Sequence, residues 1–165
     1  MELADVAGHA ARLGSIVHLS SVRPDGRPHG VPVAVAWVDD HVAAFVRSDS
    51  VKVANVRSDP RVHLHWQVHA ETNNDSLMVE GLAWVVDTPE GRRRLWGRMG
   101  QDLFRIEPGG PDANRHVFLW IQPTAATLLV RYGNDGREVW RAEPDEIVFD
   151  LRDVVLPDRR VESTD

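Results

Sequence analysis

Residues 18–66 read HLSSVRPDGRPHGVPVAVAWVDDHVAAFVRSDSVKVANVRSDPRVHLHW, and the punctuation of this stretch decides the fold. Pro24-Asp25-Gly26 is a tight turn, with proline presetting φ and glycine taking the left-handed position. Gly14 to Arg23 reads as the strand before that turn, and Arg27 to Val38 as the strand after it. In the second strand Val31, Val33 and Val35 alternate and so share one face. Asp39-Asp40 reverses the chain again into a third strand, His41 to Val46. Ser50 suits the N-cap of a short helix through Arg57, which Asp59-Pro60 stops. Arg61 to Ala70 follows as a fourth strand.

The same reading extends outward in both directions. Leu3, Val6, Ala7, Ala10 and Leu13 recur at helical spacing and predict an opening helix over 3–13. Glu71 to Asp75 is a polar loop, and Leu77 to Val86 a fifth strand. Thr88-Pro89-Glu90 supplies the cap, first-turn proline and acidic start of a helix reaching Met99. Pro108-Gly109-Gly110-Pro111 is an irregular loop. Val117 to Ile121 and Ala126 to Tyr132 read as two strands, and Asn134-Asp135-Gly136 makes a hairpin into Arg137 to Arg141. Hairpins joining so many short strands imply a mainly β, antiparallel sheet that closes on itself as a barrel. Residues 1–145 are expected to form this single domain. Residues 146–165 form a charged tail with a short strand at Ile147 to Phe149, and nothing from Pro157 onward is suited to packing.

A chain of 165 residues fits one domain with a sizeable core. It contains no cysteine, which removes disulfides, thiolate metal sites and cysteine nucleophiles. The formal net charge of -6 argues against nucleic acid as a partner. The longest apolar run, Val31 to Val38, is far short of the roughly 20 residues of a membrane helix. Glu2 and Asp5 stand where a secretory leader needs basic residues. No membrane association and a cytoplasmic location are therefore expected.

Chemistry concentrates in Arg47-Ser48-Asp49-Ser50-Val51-Lys52-Val53-Ala54-Asn55. Here a strand ends, a serine-led helix begins, and two cations and two hydroxyls lie within six residues. The free amides and dipole of a helix start favour an anion. Ser48 and Ser50 offer hydroxyls, Arg47 a two-pronged guanidinium and Lys52 a compact ammonium. Lys52 is the one lysine among nineteen basic residues, which singles it out where arginine is the default. A phosphate is the expected guest; the plain alternative is a solvated capped helix.

The run from His18 to Trp66 resembles the pyridoxamine 5'-phosphate oxidase-like flavoproteins, especially their general stress protein branch. The matching pieces are Pro24-Asp25-Gly26-Arg27-Pro28, the valine-rich second strand, Ser50-x-Lys52-x-x-Asn55 and Asp59-Pro60-Arg61-Val62. Val79-Glu80-Gly81-x-Ala83 and Gly109-Gly110-Pro111-Asp112 follow in the same order. The resemblance covers roughly residues 13–141. It implies a split β-barrel of Greek-key type, a homodimer, and FMN in a groove at the dimer interface. Carried over by position, Ser50 and Lys52 match the phosphate-binding serine and lysine, with Arg47 and Ser48 beside them. Pro32, Val33, Ala34 and Val35 would line the flavin ring with backbone groups. The sequence departs from the pattern at Val46 and Val51, where many members carry a hydroxyl residue and an arginine, so Arg47 would replace part of that clamp. Relatives on the same fold use a deazaflavin coenzyme or bind haem. The function so implied is an FMN-dependent oxidoreductase acting on a small molecule. The alternatives are a deazaflavin-dependent reductase or a non-catalytic flavin- or haem-binding stress protein.

No residue can be named as catalytic, since flavin chemistry resides in the cofactor. His63 and His65 share a strand face, with His69 nearby, but without cysteine or an evident acidic partner they are read as solvent or interface residues and no metal is expected. The six tryptophans are read chiefly as core or dimer contacts. Arg92-Arg93-Arg94 reads as the wet face of a helix.

Overall fold

The computed structural model describes residues 1–147. Seven strands and three α-helices follow in the order α1 (Leu3–Leu13), β1 (Ile16–Val22), β2 (Pro28–Val38), β3 (His41–Arg47), α2 (Val51–Ser58), β4 (Arg61–Trp66), β5 (Ser76–Val86), α3 (Pro89–Trp96), β6 (His116–Leu129) and β7 (Arg137–Arg141). Strand order across the sheet is β3-β2-β1-β4-β5-β6-β7, and β3 also pairs with β6. Every pairing is antiparallel. Six strands therefore close a ring. The meander β1-β2-β3 with β4 returning beside β1 is the Greek-key connection. The fold is a split β-barrel, mainly β, as the hairpin pattern and the resemblance imply.

The alternation of each strand sorts the core into two regions. Val17, Leu19, Val33, Val35, Val42, Val46, Leu64, Leu77, Val79, Leu119 and Ile121 point into the ring. Val6, Ala10 and Leu13 of α1, spaced four and three apart, close over this interior, and Val53 and Val56 of α2 add to it. Outside the ring, Phe118, Trp120 and Trp84 meet Leu95 of α3 with Met99 and Leu103 of the segment after it.

Two expected strands, Val117 to Ile121 and Ala126 to Tyr132, are one continuous β6. Pro123 does not break it because it sits where the register against β5 shifts: Glu80 faces Ala125 and Gly81 faces Pro123. A proline is tolerated at such a bulge. Gly81 is required there, since a Cβ would lie 2.6 Å from the Gln122 carbonyl oxygen and 2.9 Å from Ile121. The chain thus has seven strands among the described residues. β4 stops at Trp66 instead of Ala70 because its partner runs out: Trp66 faces Val17, and β1 begins one residue earlier. α3 stops at Trp96 instead of Met99. The tail strand expected at 147–149 and the unpacked end from 157 lie outside the described residues, apart from Ile147 itself.

Candidate functional site

β2 has two unlike halves. Val35 to Val38 pair with β3, where the ring is closed, the register running from Val35↔Ala44 to Val38↔His41. From Ala34 back to Pro28, β2 pairs only with β1. Over the matching length, Phe45 to Arg47 of β3 pair with β6 instead. The barrel is split here, and β2 presents an unpaired backbone edge. The amide of Val35 donates to Ser15 on the β1 side at 2.8 Å, so strand alternation turns Pro32 and Ala34 toward the opening. Pro32 has no N–H to leave unsatisfied, which suits it to that edge. Pro32 is exposed and Ala34 half-buried, while Val33 and Val35 point into the core.

The far wall of the opening is the end of β3 and the start of α2. Arg47 is exposed and bound through two bonds to Asp49, Nε to Oδ1 at 3.0 Å and Nη2 to Oδ2 at 2.6 Å. The hydrogen bonds to Asp49 push the Arg47 pKa up, and those from Arg47 push the Asp49 pKa down. Ser48 is tied to the entrance of β6, its amide and hydroxyl both donating to the Arg115 carbonyl at 2.9 and 3.1 Å. Ser50 occupies the N-cap position by backbone conformation, but its side chain does not cap. Its hydroxyl turns back to donate to the Arg47 carbonyl at 2.8 Å. The Ser50 carbonyl takes the amides of Val53 and Ala54 at 3.0 and 3.2 Å, which leaves the amides of Val51 and Lys52 without an acceptor in the helix.

Lys52 is half-buried and makes no hydrogen bond or ion pair among the described residues. Burial lowers its pKa, with no carboxylate to offset it. A desolvated ammonium without a counterion attracts an anion. Asn55, one turn on, is buried and donates to the Ser21 hydroxyl at 2.9 Å, clamping α2 to β1. The last residue of the Ser-x-Lys-x-x-Asn pattern is therefore structural, and it fixes where Lys52 stands.

The other sequence features fall elsewhere. Arg92 is not part of a wet helix face: it is 4% exposed, with Nε donating to the Pro111 carbonyl at 2.7 Å and Nη1 to that of Asp87. Arg93 pairs with Asp112 at 2.6 Å. His63 and His65 share the outer face of β4, and His18 stands across from His65 on β1. Burial first, then the neighbouring His63 and His18, lower the His65 pKa. Among the described residues no group of three or more ligand side chains could hold a metal ion. Trp66, Trp84 and Trp120 are buried, and Trp37, Trp96 and Trp140 half-buried against the two core regions. No helix among the described residues is long and apolar enough to cross a membrane. What the sequence did not disclose is the opening itself, because the parting of β2 from β3 is a matter of pairing and leaves no local pattern.

The fold is shared with solved structures. General stress protein 26 from Bacillus anthracis superposes with a TM-score of 0.62 at 19% identity, over 83% of this chain and 98% of that one. A pyridoxamine 5'-phosphate oxidase-related, FMN-binding protein from Nostoc punctiforme gives 0.66 at 14% identity, over 87% and 92%. An F420 reductase gives 0.52 at 26% identity, over 68% and 88%. No curated protein matches the chain. The model of the pyridoxamine 5'-phosphate oxidase family matches residues 14–129. That span runs from the end of α1 to the last residue of β6 and takes in the whole ring, the opening and Lys52: the chain belongs to the pyridoxamine 5'-phosphate oxidase family.

Proposed function

We propose that the protein is an FMN-dependent oxidoreductase that holds the flavin ring along the open edge of β2 and the phosphate at the start of α2. The observation that carries this reading is Lys52, a half-buried ammonium without a partner among the described residues, next to two free helix amides. Lys52 and the amides of Val51 and Lys52 would take phosphate oxygens. The Ser48 and Ser50 oxygens are already oriented by bonds to Arg115 and Arg47 and would define the rim. Arg47 joins only by loosening from Asp49, an exchange between exposed groups that costs little. The backbone of Pro32 and Ala34 would meet the ring edge, with the side chains of Val33 and Val35 anchoring that strand in the core. When bound, flavin supplies hydride transfer, and the chain supplies position and a dry wall.

The outer face of β1 and β4 carries His18, which is exposed, with His63 and His65, which are half-buried among the described residues. A second copy of the chain packed there fits the homodimer expected from the family resemblance, and sedimentation velocity measures it directly. A single 18.5 kDa species with flavin bound would remove the dimer from the proposal.

A deazaflavin coenzyme is the second reading, favoured by the 26% identity to an F420 reductase. FMN titration followed by tryptophan fluorescence, with riboflavin as the phosphate-free control, tests the primary one. FMN is expected to bind at least tenfold tighter than riboflavin. Equal binding of the two, or tighter binding of the deazaflavin coenzyme than of FMN, overturns it.

A further inference from the structure

A cleft of about 520 Å³ opens where the end of α1, β2 and the segment after α3 converge. Its walls are Ala11, Val35, Trp37, Trp66, Met99 and Gln101. The size is that of a small-molecule site. Chemically the lining differs from the phosphate end of the opening, because among the described residues no lysine, arginine, histidine, aspartate or glutamate lines it.

The charges next to the cleft in sequence are committed elsewhere. Arg12 binds Asp75 at 2.7 Å, Arg98 binds Asp39 at 2.6 Å, and the Asp102 carboxylate takes the Phe104 amide at 3.1 Å. The polar backbone at the floor is also used. The Gly14 carbonyl accepts from the Trp66 indole N–H at 2.9 Å, and the Ser15 carbonyl accepts from Val35. What remains for a guest is the half-buried indole of Trp37, the apolar walls of Val35 and Met99, and two neutral hydrogen-bonding groups, the Ser15 hydroxyl and the Gln101 amide. An ion entering such a site loses its hydration and gains no counter-charge. A flat apolar molecule gains contact with an aromatic ring.

We propose that this cleft binds a neutral, flat, largely apolar small molecule with one or two hydrogen-bonding groups. Val35 belongs both to the cleft wall and to the β2 segment assigned to the flavin ring. As the place of the flavin's reaction partner the cleft rests on the reading above; as a binding site it stands without it.

A matched pair of probes tests the charge argument on the full-length protein: naphthalene-2-carboxamide and naphthalene-2-carboxylate, one ring system with and without a charge. Each is titrated by calorimetry, first without flavin and then with FMN. The carboxamide is expected to bind at least tenfold tighter than the carboxylate. Ala11 is exposed on α1, and A11W puts a large ring over the mouth without touching the core. It is expected to weaken the carboxamide at least tenfold and leave the thermal midpoint within a few degrees of wild type. W37L, which removes the stacking wall, is expected to weaken it several-fold. Equal affinity for the two probes, no binding of the carboxamide, or binding unmoved by A11W and W37L overturns the inference. Selective carboxamide binding by a protein that binds no flavin upholds the cleft and removes the flavin reading, so the two fail separately.

Discussion

α2 and α3 are both eight residues long and both start after a hydroxyl residue, yet their first turns are built for different ends. At α3 most demands are met from within. The Thr88 hydroxyl oxygen takes the Gly91 amide at 3.2 Å, Pro89 removes a donor that would go unused, and Arg92 donates to two backbone carbonyls. At α2 the serine turns its hydroxyl away, two amides have no acceptor, and the cation of the first turn has no partner among the described residues. A helix start completed by its own chain holds a fold together; one left incomplete is available to a ligand. The difference predicts that substitutions in α3 are read in stability and those in α2 in binding.

The largest effect should come from Arg92. Arg92→Met removes the buried guanidinium that donates to the Pro111 and Asp87 carbonyls and unfastens α3 from the 109–112 loop, so a loss of roughly 2–4 kcal/mol is expected. Urea unfolding measures it, and a loss below about 1 kcal/mol would mean that Arg92 is as dispensable as its exposed neighbours. Next is Lys52. Lys52→Ala should weaken FMN by about ten- to hundredfold, roughly 1.5–3 kcal/mol, and leave riboflavin and the unfolding midpoint unchanged. Lys52→Arg should restore part of the affinity, since a planar fork does not replace a compact ammonium. Equal weakening of FMN and riboflavin would remove Lys52 from the phosphate.

The same lysine predicts a pH dependence. Its folded pKa lies below the ordinary 10.5 because burial disfavours the charged form. The unfolded chain thus holds this proton more tightly than the folded one, and stability gains as pH rises through the folded value toward 10.5. Phosphate binding moves the opposite way, because it needs the charge. FMN affinity should fall on the alkaline side before pH 10.5 is reached, with riboflavin affinity flat over the same range. Parallel curves for the two ligands would count against the contact.

Smaller effects separate the two hydroxyls. Thr88→Ala should cost about 1 kcal/mol of stability, the usual value of a lost cap. Ser50→Ala should stay within about 0.5 kcal/mol, because its hydroxyl caps nothing and bonds an exposed carbonyl. Equal costs for both would erase the contrast between the helices.

The parts of this architecture that were legible in the sequence are those set by local chemistry. The spacing of Val6, Ala10 and Leu13 gave α1 its bounds, and the turns at 24–26 and 39–40 gave the meander. What escaped depends on partners distant in sequence. Pro123 reads as a break until Gly81 is found opposite it in a bulge, and β4 ends where β1 begins. Arg92 looks like one of three exposed arginines until Pro111 and Asp87 are seen to take its donors. At the site, the residue types in 47–55 pointed to an anion, but their hydrogen-bond states did not follow from type. Asp49 holds Arg47, and Ser50 faces backward.

Closure of the ring by β3 against β6 also bears on how quickly the molecule can form. Val42 pairs with Ile121 and Arg47 with His116, residues some seventy to eighty positions apart in the chain. Loop entropy must be spent on that contact before it returns anything, whereas the β1-β2-β3 meander forms between near neighbours. During synthesis the meander emerges well before β6, and β3 then exposes Val42, Ala44 and Val46 on a strand edge that has no mate. This interval is when the chain is most open to pairing with another copy of itself. Refolding yield should therefore drop with protein concentration more steeply than the stability of the finished barrel would suggest.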